Sequence, residues 1–314
     1  MTTTLPNPPT RITIDTGQIC LSALDYGEAP GQTGRPPMLV IHGSTDLAWS
    51  MDPVAQAFRD THHVISIDLR GHGESPHPGA YSTLHYAADL AGVVRTLGWD
   101  HPILVGHSLG GHTASLYAAL YPHIPSALVL LEGLGPPVSA PSTEPDAQDE
   151  MARGLIEMLS SPVGHRTYPD VAAAEARLGV VHPRLSPDRV AMLATHGTRL
   201  GPDRGVTWRF DPRVRDWVSS VDPALTERRW QSITCPVFAL SGEDAWETYW
   251  TARMSPVAAK AGRTRLSDEA FTAKIAAFAD LEHIVVSDAG HMIHFDQPDE
   301  VNRLTADFLT RRLP

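Results

Sequence analysis

Ile103-Leu104-Val105 is a short apolar run that reads as a buried strand, and Thr113 to Leu120 reads as a helix. Between them stands Gly106-His107-Ser108-Leu109-Gly110. A strand, a Gly-x-Ser-x-Gly turn and a helix in immediate succession leave the chain little choice. The turn holds Ser108 in a strained conformation, and glycine is needed at 106 and 110 because a side chain there would collide with neighbouring backbone. The Ser108 hydroxyl is then exposed at the top of a sheet, over the positive end of a helix dipole.

The segments around this turn alternate in the same way. Arg11–Thr16 and Gln18–Ala23 read as a hairpin around Gly17, after a tail over residues 1–10 that is expected to be disordered. Met38–Ile41, Val64–Ile67, Ala127–Leu131, Pro236–Leu240 and His283–Val286 read as buried strands. A helix with Leu84, Ala87, Ala91, Val94 and Leu97 on one stripe precedes the serine turn, and a closing helix with Val301, Leu304 and Phe308 starts near Asp296-Gln297-Pro298. Strands that are nearly all apolar and alternate with helices predict a mostly parallel sheet covered on both faces. The alternation stops at Gly133 and resumes after Ile233. The expected division is therefore an α/β core over 11–132 and 233–314, with a helical cap over 133–232.

Composition excludes several classes of function. A net charge of −11 argues against nucleic acid or an anionic membrane as a partner. No apolar run approaches a spanning helix, and the polar, proline-containing start from Met1 to Arg11 has no signal-peptide core. Two cysteines, Cys20 and Cys235, form no disulfide framework, so a reducing cytoplasm is expected. His62-His63 and His291/His294 lack the carboxylate or thiolate spacing of a metal site, so neither metal nor cofactor is expected. The partner that remains is a small molecule.

Four motifs together carry a resemblance. They are His42-Gly43 after a strand, Asp68-x-Arg70-Gly71-x-Gly73-x-Ser75, Gly106-x-Ser108-x-Gly110, and Gly290-His291 followed by Pro298-Asp299-Glu300-Val301. In this order and spacing the chain resembles the α/β-hydrolase fold superfamily, an eight-stranded sheet with a nucleophile, a histidine and an acid at its carboxyl edge. The resemblance implies that Ser108 is the nucleophile and His291 its base. It also implies that the backbone N–H groups of Ser44 and Leu109 form an oxyanion hole. Asp68 and Arg70 are expected to pin a loop.

The acid departs from the common pattern, which would place it at Ala245, three residues after Gly242. Glu132, at the end of the strand after the serine turn, is the favoured acid, and Asp244 is the alternative. Glu132 occupies the position used by some haloalkane dehalogenases and by zearalenone lactonases of the superfamily. A serine nucleophile, and the absence of the glycine-rich patterns of carbon–carbon bond hydrolases and proline iminopeptidases, point to an ester or lactone. The alternatives are a thioester, a low-turnover small-molecule receptor, or a cofactor-free lyase or oxygenase. Trp49, Trp208, Trp217, Trp246, Trp250 and Met292 are the expected pocket residues, which would make the substrate apolar.

Overall fold

A computed structural model describes residues 8–27, 34–135, 137–139, 144–201, 204–251 and 264–313. Eight strands form one sheet in the order β1-β2-β4-β3-β5-β6-β9-β10. They are β1 (Thr10–Asp15), β2 (Cys20–Asp25), β3 (Met38–Ile41), β4 (Val64–Ile67), β5 (Ile103–His107), β6 (Ala127–Leu131), β9 (Val237–Gly242) and β10 (Leu281–Val286). From β4 to β10 every neighbouring pair is parallel, and β2 alone runs against its neighbours. The expected tail over 1–10 falls mostly outside the described residues, and Thr10 already belongs to β1.

Successive side chains on a strand point to opposite faces, so a doubly covered sheet must be apolar at every position. β3, β4, β5 and β6 come close to this, with no exposed residue among them and only Ser66 and His107 polar. Leu39, Ile41, Leu104 and Leu128 feed one core, against α2 (Thr83–Leu97) and α3 (Leu109–Leu120). Met38, Val40, Val105 and Phe238 feed the other, against α1 (Asp52–Phe58) and the closing helix Pro298–Arg312, where Phe238 stacks on Phe308 at 4.8 Å. The stripe expected on α2 is corrected in part. Ala87 and Val94 are buried as expected, but Leu84 is 61% exposed, and Tyr86, Leu90 and Val93 complete a buried face rotated toward the sheet.

The chain leaves β3 toward β4 on one side and returns to β5 on the other. In open parallel sheets the crevice beyond such a switch point is where ligands bind. The serine turn follows β5, and His42-Gly43-Ser44 follows β3, so the topology itself puts both at that crevice. Between β6 and β9 lie α4 (Pro145–Ser160), α5 (Val171–Val181), α6 (Pro187–Gly197), the hairpin β7–β8 (Thr198–Leu200, Val206–Trp208) and α7 (Pro223–Trp230). Cys20 is exposed and Cys235 buried, both as free thiols.

Candidate active site

Three strands end in strained backbone. Among the described non-glycine residues with positive φ are Thr45, Ser108 and Glu132, which follow β3, β5 and β6. Ser108 sits at φ 49°, ψ −110°, and its amide donates to the Leu131 carbonyl at 2.9 Å. Such conformations cost on the order of 1–3 kcal/mol and persist only where the surroundings over-determine them. The surroundings here are backbone. A Cβ on Gly110 would lie 2.2 Å from the Ile41 carbonyl oxygen, and one on Gly106 would lie 2.4 Å from the Gly110 carbonyl carbon. Helix and strands approach to a distance that only glycine permits.

His291 lies in the loop after β10 and is 3% exposed. Its Nδ1 hydrogen-bonds the Glu132 carboxylate at 2.8 Å, through Oε2. The other carboxylate oxygen accepts the Gly242 amide at 2.7 Å, and the Trp250 indole also hydrogen-bonds Glu132. Burial pushes the Glu132 carboxyl up to about 8, and these two donors offset only part of that rise. The imidazole is fixed on its faces as well. Tyr249 stacks on it at 3.6 Å, and Trp250 meets it edge-on at 4.9 Å. His107, beside the serine, donates Nε2–H to the His291 carbonyl at 2.9 Å, which ties the histidine loop to the serine turn. With Nδ1 turned to Glu132, Nε2 is the nitrogen available for proton transfer, and His291 and Ser108 line one cavity.

Asp244 is elsewhere. Its carboxylate pairs with Arg184 at 2.8 Å on the surface and is more than a third exposed. Ala245 is buried in helical backbone. In this chain the carboxylate that meets His291 therefore comes from the end of β6, and β9 contributes the Gly242 amide that bonds it.

The loop after β3 is latched by neutral histidines. His42 donates Nδ1–H to the Gly43 carbonyl at 2.6 Å and accepts the Leu69 amide on Nε2 at 3.0 Å. Burial lowers it to about 4. His72 accepts the Thr45 amide at 3.1 Å in the same manner. That commits the Thr45 N–H and leaves the Ser44 N–H outside this latch. A Cβ on Gly43 would be only 3.4 Å from the Ser108 Cβ, and Ser44 lines the cavity. Leu109 opens α3, where amides point out of the helix end. Asp68 accepts the Ala48 and Glu74 amides, and Arg70 clasps Asp89 through two bonds of 2.6 Å, so both brace the frame away from the chemistry.

A sequence model described as "Alpha/beta hydrolase family" matches residues 38–304. The chain belongs to the alpha/beta hydrolase family. It is 27% identical over 305 residues to 2-(acetamidomethylene)succinate hydrolase of Mesorhizobium japonicum, covering 94% of each chain. It is 26% identical over 304 residues to a serine hydrolase-like protein of Danio rerio, covering 92% of this chain and 87% of that one. The crystal structure of E-2-(acetamidomethylene)succinate hydrolase superposes with a TM-score of 0.72 at 25% identity, over 96% of this chain and 99% of that one. These likenesses support a hydrolase of the alpha/beta type. Among the described residues no helix is long and apolar enough to cross a membrane.

This alpha/beta hydrolase has a cavity of about 700 Å³ over Ser108, and its walls differ from those expected. Trp208 and Met292 line it; Trp49, Trp217, Trp246 and Trp250 do not. Trp49 is buried and stacks on His196 at 4.1 Å, Trp217 packs on the core beside His112, and Trp246 lies under Arg265. Trp250 braces Glu132 and His291 from outside the cavity. Of these four, only Trp217 belongs to the inserted segment, and its area packs that segment onto the core. In their place the cavity presents Tyr249, Asp46 and four arginines, none of which a hydrophobic reading singles out. Asp46, His107 and His294 bring one ligand-type atom each within 4.8 Å of the others, a spacing able to hold a metal ion.

Proposed function

We propose that this alpha/beta hydrolase cleaves a carboxylic ester or lactone through an acyl-enzyme on Ser108. The observation that carries this reading is the Glu132–His291 bond of 2.8 Å, made by a histidine that shares one cavity with the serine. His291 takes the Ser108 proton as Oγ attacks the carbonyl carbon. Glu132 holds the imidazole in the tautomer that makes this possible and stabilises the imidazolium that forms. The oxyanion is held by the amides of Ser44 and Leu109. Collapse expels the alkoxide, which recovers the proton from His291. Water then passes a proton to His291, attacks the acyl carbon, and returns Ser108 as the hydroxyl. The segment over 133–232 acts as a cap, which the residues it contributes to the cavity wall support. The free thiols of Cys20 and Cys235 fit a reducing, cytoplasmic setting.

The test is covalent trapping. A fluorophosphonate should add one adduct, mapped by mass spectrometry to Ser108, and a screen of esters and lactones should give multiple turnovers. Absence of an adduct on Ser108 would overturn the assignment of the nucleophile. An adduct without multiple turnovers would favour a receptor on the same fold.

A further inference from the structure

The whole chain is acidic, with 25 Lys and Arg against 36 Asp and Glu. The cavity over Ser108 has the opposite balance. Arg166, Arg177, Arg209 and Arg215 line it, against the single carboxylate of Asp46. The four cations come from separate stretches of the inserted segment: the loop before α5, α5 itself, the end of the β7–β8 hairpin, and the turn that follows. Their convergence is therefore a property of how that segment folds over the site.

Three of the four form no ion pair with a carboxylate among the described residues. Arg209 pairs with Glu74 at 2.8 Å and is committed. Arg166 lies over the Tyr168 ring at 5.3 Å, and among the described residues neither it, Arg177 nor Arg215 forms an ion pair. Several arginines elsewhere in this protein are paired, for example Arg70 with Asp89, Arg184 with Asp244, and Arg303 with Glu300 and Asp307, while Arg95, Arg228 and Arg229 form no ion pair among the described residues. Unpaired guanidiniums around one concave wall focus a positive potential there, raise the local concentration of anions and speed their entry. A guanidinium also offers two parallel N–H donors that match a carboxylate.

We infer that the substrate carries a carboxylate besides the bond to be cleaved, held at the cavity mouth by Arg177 and Arg215 with Arg166 beside them. This deepens the hydrolase reading and rests on it. Such a substrate differs from the wholly apolar one expected from the tryptophans by one charged group, and Leu178, Val181, Leu193 and Phe295 offer an apolar wall to the rest of it.

A matched pair of esters separates the two. 4-Acetoxybenzoate and its methyl ester present the same acetyl group, one with a carboxylate and one without. In Ser108→Ala protein, where turnover is blocked, calorimetry should show 4-acetoxybenzoate binding at least 10-fold tighter than the neutral ester. The preference should vanish in Arg177→Gln/Arg215→Gln and fall in 0.5 M NaCl, while Arg153→Gln, at an exposed residue of α4 that does not line the cavity, should keep it. Equal binding of the two esters, or a preference that survives the double variant, would overturn the inference. Turnover by wild-type protein is read separately. Loss of all ester cleavage would sink the hydrolase reading, whatever the binding experiment returns.

Discussion

The carboxyl edge of the sheet and the segment inserted between β6 and β9 solve opposite problems. Helix α3, which carries the serine turn, buries ten of its twelve residues. Helix α5, which carries Arg177, buries Ala174 alone. The first region holds Ser108 and Glu132 at positive φ because backbone presses on backbone around them. The second rests on a few contacts and spends its polar side chains on the cavity. Chemistry that needs sub-ångström placement sits where packing leaves one conformation, and recognition sits where side chains can change at low cost.

The sharpest way to break this comparison is at the nucleophile. Ser108→Ala should lower kcat by roughly 10⁵-fold or more and leave the urea midpoint close to wild type, because the group lost acts only in the reaction. Steady-state kinetics beside a denaturation curve checks both halves. Next is the choice of acid. Glu132→Gln should cost about 10³–10⁴-fold in kcat, the size expected when a triad histidine loses its orienting carboxylate. Asp244→Asn, at a surface pair with Arg184, should stay within about 3-fold, since exposed pairs contribute little. Equal losses at the two positions would overturn the assignment of Glu132.

Stability should divide along the same line. Gly110→Ala forces a Cβ to 2.2 Å from the Ile41 carbonyl, so the frame should lose about 3 kcal/mol or more by urea denaturation. Gly164→Ala, in the inserted segment, meets nothing within 4 Å and should change stability by less than about 0.5 kcal/mol. Acid should act on the frame too. His42 is fully buried and lowered from 6.5 to about 4, so between those values the unfolded chain binds a proton that the fold refuses. Stability conferred by its neutral form is complete above pH 6.5 and is lost as pH falls toward 4. His42 alone should remove about 2 kcal/mol between pH 7.5 and pH 5. His72, His107 and His294, each lowered by burial, add in the same direction. A urea midpoint that does not move over this range would refute the neutral-histidine latch.

The sheet was legible because each strand advertises itself within a few residues. Val64-Ile65-Ser66-Ile67 and Ala127-Leu128-Val129-Leu130-Leu131 are buried on both faces, as their apolar runs require. The serine turn and the histidine loop were legible for a related reason: their glycines are spaced by local steric demand. Glu132 could be favoured over Asp244 from its place at a strand end, but its bond to His291 spans 159 positions of sequence. The α2 stripe was partly misread because a helical repeat gives the width of an apolar face, and its exact rotation is set by what the helix lies against. The tryptophans misled for a similar reason. An aromatic in an insertion reads the same in sequence whether it lines a cavity or anchors the segment to its neighbour.

Read alone, the amino-acid order determined the alternation of strand and helix, the covered parallel sheet and the two residues at its edge, because these follow from the periodicity and turn chemistry of adjacent residues. Tertiary structure decided which carboxylate meets His291, which indole supports that carboxylate, and that arginines converge on one cavity in an acidic protein. Those outcomes depend on distances between segments up to 159 residues apart, and no local pattern encodes them.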